Sequence, residues 1–303
     1  MKKYIVVFVL LCVLVSALLI GCDKPHDGDD FIPEYKEFTA MTFNIRTFNL
    51  EEDTPNLWMN RKDRLLATVL KYSPDIVGFQ EVRDLGGQLD FLKDNLTDYN
   101  WCGNSNYYGS DIALSVVAAE TNIVFYKKDR FTLVSWETKW LSETPDVISS
   151  GWDEDSTKRT YTRVVLKDNL SGQELNFINT HLDPGAPLSK EKMSKRYSQL
   201  AKEDGRPFII IGDFNFAEGS TFYNFITADT LKDSKHLAAE SDTGGTYHSF
   251  KGTPSNPMPI DFVYVTESFF DVSSYKIIRD KSDEGLYPSD HFPVFVTLKL
   301  KPN

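Results

Sequence analysis

Residues 208–215 read Phe-Ile-Ile-Ile-Gly-Asp-Phe-Asn, an apolar run that stops at a carboxylate and a carboxamide. Four apolar residues, three of them β-branched, suit a buried strand. Burial gives no reason for Asp213 and Asn215 to follow. Alternate residues at a strand end point the same way, so both side chains should project from one sheet edge. The pattern recurs along the chain. Thr42-Phe43 leads into Asn44, Gly78-Phe79-Gln80 into Glu81, and Asn179-Thr180 into His181, with Asp183 two residues on. Ile260 precedes Asp261, and Ser289-Asp290-His291 precedes Phe292-Pro293-Val294. Six strand-like segments, each bounded by an oxygen donor or an imidazole, predict one site assembled at a common sheet edge.

The chemistry these groups suit is hydrolysis of a phosphate ester. That reaction needs charge neutralisation on the non-bridging oxygens, an activated water and help for the leaving oxygen. Asn44, Glu81, Asp213, Asn215 and Asp290 are ligands of the kind a hard cation such as Mg²⁺ takes. His181 and His291 can donate to a phosphoryl oxygen or shuttle a proton. Asp261 suits by type the task of orienting His291.

Positioning such groups takes a sheet-rich scaffold. Periodicity predicts strands over 38–45, 76–79, 112–127, 131–141, 160–167 and 174–180, with a hairpin turn at 169–172. Helices are expected over 60–72, 86–96, 189–203 and 222–228, the first stopped by Ser73-Pro74 and the third by Gly205-Arg206-Pro207. No repeat or linker divides this stretch, so residues 38–301 read as one α+β domain.

Composition narrows the alternatives. The net charge of −11 opposes strong non-specific binding to nucleic acid, though it leaves open a hydrolase whose metal supplies positive charge locally. Lys2 and Lys3 followed by an apolar run to Ile20 describe a secretory signal over residues 1–21. Residues 22–37, rich in Asp and Glu with Pro25, Gly28 and Pro33, read as a flexible acidic stalk. Cys102 alone remains in the mature domain, where it is expected to be a buried small hydrophobe.

The segments Thr-Phe-Asn44-Ile-Arg, Gln80-Glu81, Asn179-Thr-His181-Leu-Asp183, Gly212-Asp213-Phe-Asn215, Ile260-Asp261-Phe-Val and Ser289-Asp290-His291 resemble, in order, the motifs of the endonuclease/exonuclease/phosphatase (DNase I-like) superfamily. The resemblance implies a four-layered α/β sandwich of two packed, mainly antiparallel sheets flanked by helices. It implies Glu81 as principal ligand of Mg²⁺ or Mn²⁺, with Asn44 and Asp290 assisting. It also implies His181, Asn215 and His291 as phosphate binders, Asp213 as the group that orients or deprotonates water, and Arg159 as a phosphate clamp. His248 lies in a loop where relatives contact substrate. Leu18-Leu19-Ile20-Gly21-Cys22 resembles a bacterial lipobox, which implies a membrane tether through lipidated Cys22 and display in the periplasm or on the outer-membrane surface. The expected protein is a metal-dependent phosphoester hydrolase, with a lean towards phosphodiesters, that works as a monomer. Nucleic acid, phospholipid head groups and sugar or inositol phosphates all stay open as substrates. The rival readings are a scavenging extracellular nuclease and an inactive lipoprotein that binds rather than cuts.

Overall fold

A computed structural model describes residues 32–48, 54–109 and 119–302. The expected signal, Cys22, most of the stalk and residues 112–118 of one expected strand lie outside them. Within Pro33–Asn303 the chain forms one compact unit. Its elements are β1 (Glu37–Asn44), α1 (Trp58–Tyr72), β2 (Ile76–Val82), α2 (Gln88–Asn95), β3 (Tyr99–Cys102) and β4 (Thr121–Lys127). Next come β5 (Phe131–Trp140), β6 (Thr160–Asp168), β7 (Glu174–His181), α3 (Pro187–Asp204), β8 (Phe208–Asp213) and α4 (Thr221–Thr227). The chain finishes with β9 (Leu231–Asp233), α5 (Ser234–Leu237), β10 (Glu240–Ser241), β11 (Asp261–Thr266), β12 (Phe270–Ile277) and β13 (Val294–Leu300).

The strands form two sheets, ordered β10-β12-β13-β1-β2-β4-β3 and β5-β6-β7-β8-β11-β9. Among the described residues, parallel pairing is confined to β1 with β2, β7 with β8 and β10 with β12. Alternation along each strand decides which layer a residue enters. In β8, Phe208 and Ile210 face α3 and α4 with Tyr197, Met193 and Ile226, whereas Ile209 and Ile211 face the other sheet. In β1, Phe38 and Ala40 enter the same inter-sheet core, while Met41 and Phe43 pack with Leu65 and Val69 of α1 and Leu92 of α2. Three apolar clusters between four layers give the helix–sheet–sheet–helix sandwich that the sequence led us to expect.

Local chemistry sets the helix ends. Ser73 closes α1 in left-handed backbone, its N–H bonded to Val69 O, just ahead of Pro74. Pro187 opens α3 and Gly205 ends it at φ 74°. Ser220 caps α4 by accepting from Tyr223 N–H. Of the expected strand over 112–127, the described part is Thr121–Lys127, and Glu120 just ahead of it turns to Arg159. The short strands β3, β9 and β10, and strand β12, were not anticipated. β3, β9 and β10 are too short to show a period, and in β12 the alternation of Phe270-Asp271-Val272 and Tyr275-Lys276-Ile277 is interrupted by Ser273-Ser274 at a bulge.

Candidate active site

Strand register brings the predicted groups together. His181, Asp213 and Asp261 stand opposite one another on the adjacent strands β7, β8 and β11. Asn44 pairs with Gln80 on the parallel strands β1 and β2, which puts Glu81 one residue beyond. Asp290 and His291 lie in the turn that leads into β13, beside the end of β1.

The two sheets are fastened just beneath this edge by a buried amide network. Gln80 Nε2 donates to Asn179 Oδ1 at 2.6 Å and to Thr42 Oγ1 at 3.0 Å. Asn179 Nδ2 donates to Phe79 O and Ile123 O, both at 2.9 Å. These donated bonds hold the sheets in register below the site, with Gln80 Oε1 left without a donor among the described residues. Close packing there also needs two glycines. A Cβ on Gly78 would lie 2.5 Å from Ile211 Cδ1, and one on Gly212 only 2.0 Å from Thr180 O.

Asp213 is the hub. Its Oδ2 accepts from Asn44 Nδ2 at 3.0 Å and lies 3.5 Å from His181 Nε2 and 3.7 Å from His291 Nε2. Its Oδ1 accepts from Asn215 N–H at 2.9 Å. Burial, then the carboxylate of Asp261, raise its pKa above the ordinary value in spite of the imidazoles. His291 Nδ1 lies 2.9 Å from Asp261 Oδ2. Burial disfavours its imidazolium, but Asp261 and Asp213 outweigh that and hold its pKa well above the ordinary value. Asn215, in left-handed backbone at φ 51°, gives one amide hydrogen to Leu182 O at 2.8 Å.

A second carboxylate–imidazole pair was not foreseen. Glu120 Oε1 lies 3.0 Å from His181 Nδ1 and 2.7 Å from Arg159 Nη1. Burial opposes its charge, yet Arg159 and His181 hold the carboxyl far below the usual range. Burial and Arg159 push the His181 imidazole down, while Glu120 and Asp213 outweigh them and raise it. Arg159 is not a solvated edge residue. It is clamped between Glu120 and His181 Nδ1, the latter at 2.8 Å. Glu120 ends an apolar run much as Asp213 does, but it lies outside the six family motifs, and the periodicity placed it within an expected strand.

Glu81 also adopts positive φ, 61°, and its two oxygens accept from Asn44 Nδ2 at 3.1 Å and Thr47 N–H at 2.9 Å. Burial raises its pKa, but His181, Thr47 and Arg46 prevail and leave it lowered. Asp290, 2% exposed, has Ser289 Oγ at 3.3 Å and Arg46 at 3.6 Å, and burial raises its pKa. A buried, sparsely bonded carboxylate beside Glu81 fits a hard divalent cation. Asn44 sits differently from expectation. Its Oδ1 accepts from Arg46 N–H at 3.0 Å, and its nitrogen, rather than its oxygen, faces the carboxylates. Another donor set, Asp213, Asp261 and His291, has ligand atoms within 4.8 Å of one another. The hydrogen bond between His291 and Asp261 makes that trio better suited to passing a proton than to caging an ion.

Arg61 was read only as part of a helix. It is fully buried, and its guanidinium donates to Ile45 O at 2.6 Å, Arg46 O at 2.6 Å and Pro288 O at 3.1 Å. It ties the loop after Asn44 to the loop before Asp290. His248, in contrast, does not join the cluster through its ring. The imidazole stacks on Phe292 at 3.9 Å, accepts from Gly252 N–H at 3.2 Å and is pushed down to about 4 by burial. Its backbone N–H donates to Asp290 O at 2.8 Å. Asp183 caps its own turn and Thr157, and Trp58 is core.

The chain and its fold are similar to those of known proteins. A protein from Bacteroides vulgatus of known structure is 32% identical, with 88% of this chain and 100% of that one covered and a TM-score of 0.78. A mannosyl-6-phosphatase from Bacteroides thetaiotaomicron is 28% identical, with 86% of this chain and 99% of that one covered and a TM-score of 0.75. The CCR4-Not complex 3'-5'-exoribonuclease subunit Ccr4 of Yarrowia lipolytica is 26% identical over 78% of this chain, which spans 41% of that relative's length. With residues 41–291 matching the family model and the motif residues meeting at one sheet edge, the chain belongs to the endonuclease/exonuclease/phosphatase family.

Proposed function

We propose that this protein hydrolyses phosphoesters by direct attack of water on phosphorus, with phosphodiesters as the favoured class. The observation that carries this reading is the placing of Asp213 between the imidazoles of His181 and His291, each backed by its own carboxylate. Asp213 takes the proton of the attacking water as the new P–O bond forms. His181 and His291, held cationic by Glu120 and Asp261, donate to the phosphoryl oxygens. His291 returns a proton to the leaving oxygen as the old P–O bond breaks. Asn215 offers its second amide hydrogen to the phosphoryl group. A divalent cation, Mg²⁺ or Mn²⁺, held by Glu81 and Asp290, would neutralise phosphate charge and polarise the ester. Five carboxylates converge here, so a singly charged diester meets less repulsion than a doubly charged monoester.

The test compares wild type, Glu81→Gln and His291→Ala on bis(p-nitrophenyl) phosphate with and without Mg²⁺. Equal rates in all three proteins would defeat the assignment and favour a binding lipoprotein. A nuclease reading has support in the Ccr4 likeness, and the chain's net charge of −11 weighs against it. Cleavage of plasmid or RNA with steep salt dependence would favour it. The lipid tether at Cys22 and display outside the cytoplasm belong to the same proposal, and a mature mass lacking a diacylglyceryl group would count against the tether.

A further inference from the structure

Beside Glu120 and Arg159 opens a pocket of about 230 Å³ that the reaction leaves unused. Arg83, Asn106, Tyr107 and Lys158 are among the residues that line it. It is rigidly built. Asn106 Nδ2 donates to Lys158 O at 2.7 Å, and Asn106 Oδ1 accepts from Glu120 N–H at 2.9 Å. The Lys158 ammonium sits 5.3 Å from the centre of the Tyr107 ring. Arg83 lies two residues beyond Glu81, just past the end of β2.

The Arg83 guanidinium is the anomaly. Its Nε and Nη1 are shielded from solvent and meet no acceptor among the described residues. Buried guanidinium donors are normally bonded, and leaving them unmet is costly. Glu120 is near in electrostatic terms, but its carboxylate is already bonded by Arg159 and His181. Arg83 therefore lines the pocket together with Lys158 and Arg159, and a small turn of its guanidinium would bring the two unmet donors, shielded in this structure, to an anion held there. A cavity of 230 Å³ is below the roughly 300 Å³ at which drug-sized sites begin, so it suits a small polar group.

We propose that this pocket receives the alcohol arm of the substrate and that Arg83 pairs there with a second anionic group on that arm, a phosphate or a carboxylate. The inference deepens the hydrolase reading and rests on it for the location of the scissile phosphate. A guanidinium matches either anion in bidentate fashion, which an ammonium cannot do.

The test is isothermal titration calorimetry on the full chain with two ligand pairs. Fructose bisphosphate against fructose monophosphate probes a phosphate on the arm. Phosphoglycerate against glycerol phosphate probes a carboxylate. Wild type should bind the doubly anionic member about tenfold or more tightly in one of the pairs, and that pair names the source of the charge. In Arg83→Gln the gap should close to about twofold or less, and Arg83→Lys should keep part of it. Equal affinity within both pairs for wild type overturns the proposal without recourse to any variant, as does a gap that survives in Arg83→Gln. Turnover of bis(p-nitrophenyl) phosphate without a gap sinks the subsite alone, and a gap without turnover of any phosphoester sinks the hydrolase reading alone.

Discussion

Asp261 Oδ2 lies 2.9 Å from Nδ1 of His291, at the first residue of β11. The carboxylate fixes which imidazole nitrogen turns to Asp213 and stabilises the imidazolium. Asp261→Asn should therefore lower kcat by about a hundredfold or more, as loss of a positioned proton donor does. Because the two residues act as a unit, Asp261→Asn combined with His291→Ala should be little worse than His291→Ala alone. Additive losses in the double-mutant cycle would break the pairing.

The same pair shapes the pH dependence. In the proposed reaction Asp213 works as its anion, and burial raises its pKa, so activity should climb with pH above the ordinary carboxylate value of about 4. His291 would donate as its cation, and Asp261 raises its pKa against burial, so activity should fall only above the ordinary imidazole value of about 6.5. The profile of kcat/KM is then a bell. Asp261→Asn should move its alkaline limb to lower pH, and an unmoved limb would remove His291 from the proton path.

Glu120 bridges Arg159 and His181, and its loss leaves two cations facing each other. Glu120→Gln should destabilise the fold by about 3 kcal/mol, the scale for breaking a buried ion pair from one side. It should also lower the pKa governing His181 and reduce kcat/KM. Denaturant melts and a pH profile check both. A variant with wild-type stability would show that the bridge is idle.

Removing metal should abolish turnover. Mg²⁺ or Mn²⁺ should raise the Tm of wild type by mass action, with a far smaller shift for Glu81→Gln and Asp290→Asn, whose metal affinity should drop by at least about tenfold. Persistent activity after exhaustive chelation would rule the cation out.

Gly212 is a steric requirement one residue before the hub. An added methyl would press on Thr180 O and force β8 away from β7. Gly212→Ala should cost about 3 kcal/mol of stability and shift Asp213 off its neighbours, with a loss of kcat/KM to match. Wild-type stability would contradict this packing.

The amino-acid sequence alone determined the donor types and their strand-end positions, because alternation and abrupt polar endings are local signals, while the four-layer sandwich was implied by the resemblance of its motifs to a family. It marked Asn44, Glu81, His181, Asp213, Asp261, Asp290 and His291, and all of them converge. Tertiary structure alone decided the rest. Glu120 meets His181 from 61 positions away. Arg61 fastens Pro288 from 227 away. Arg83 acquires its unmet donors only where β2 ends against the pocket wall. His248 carries a catalytic residue type, yet Phe292 takes up its ring. A side chain's partners are set by packing between distant segments, and no local pattern records that.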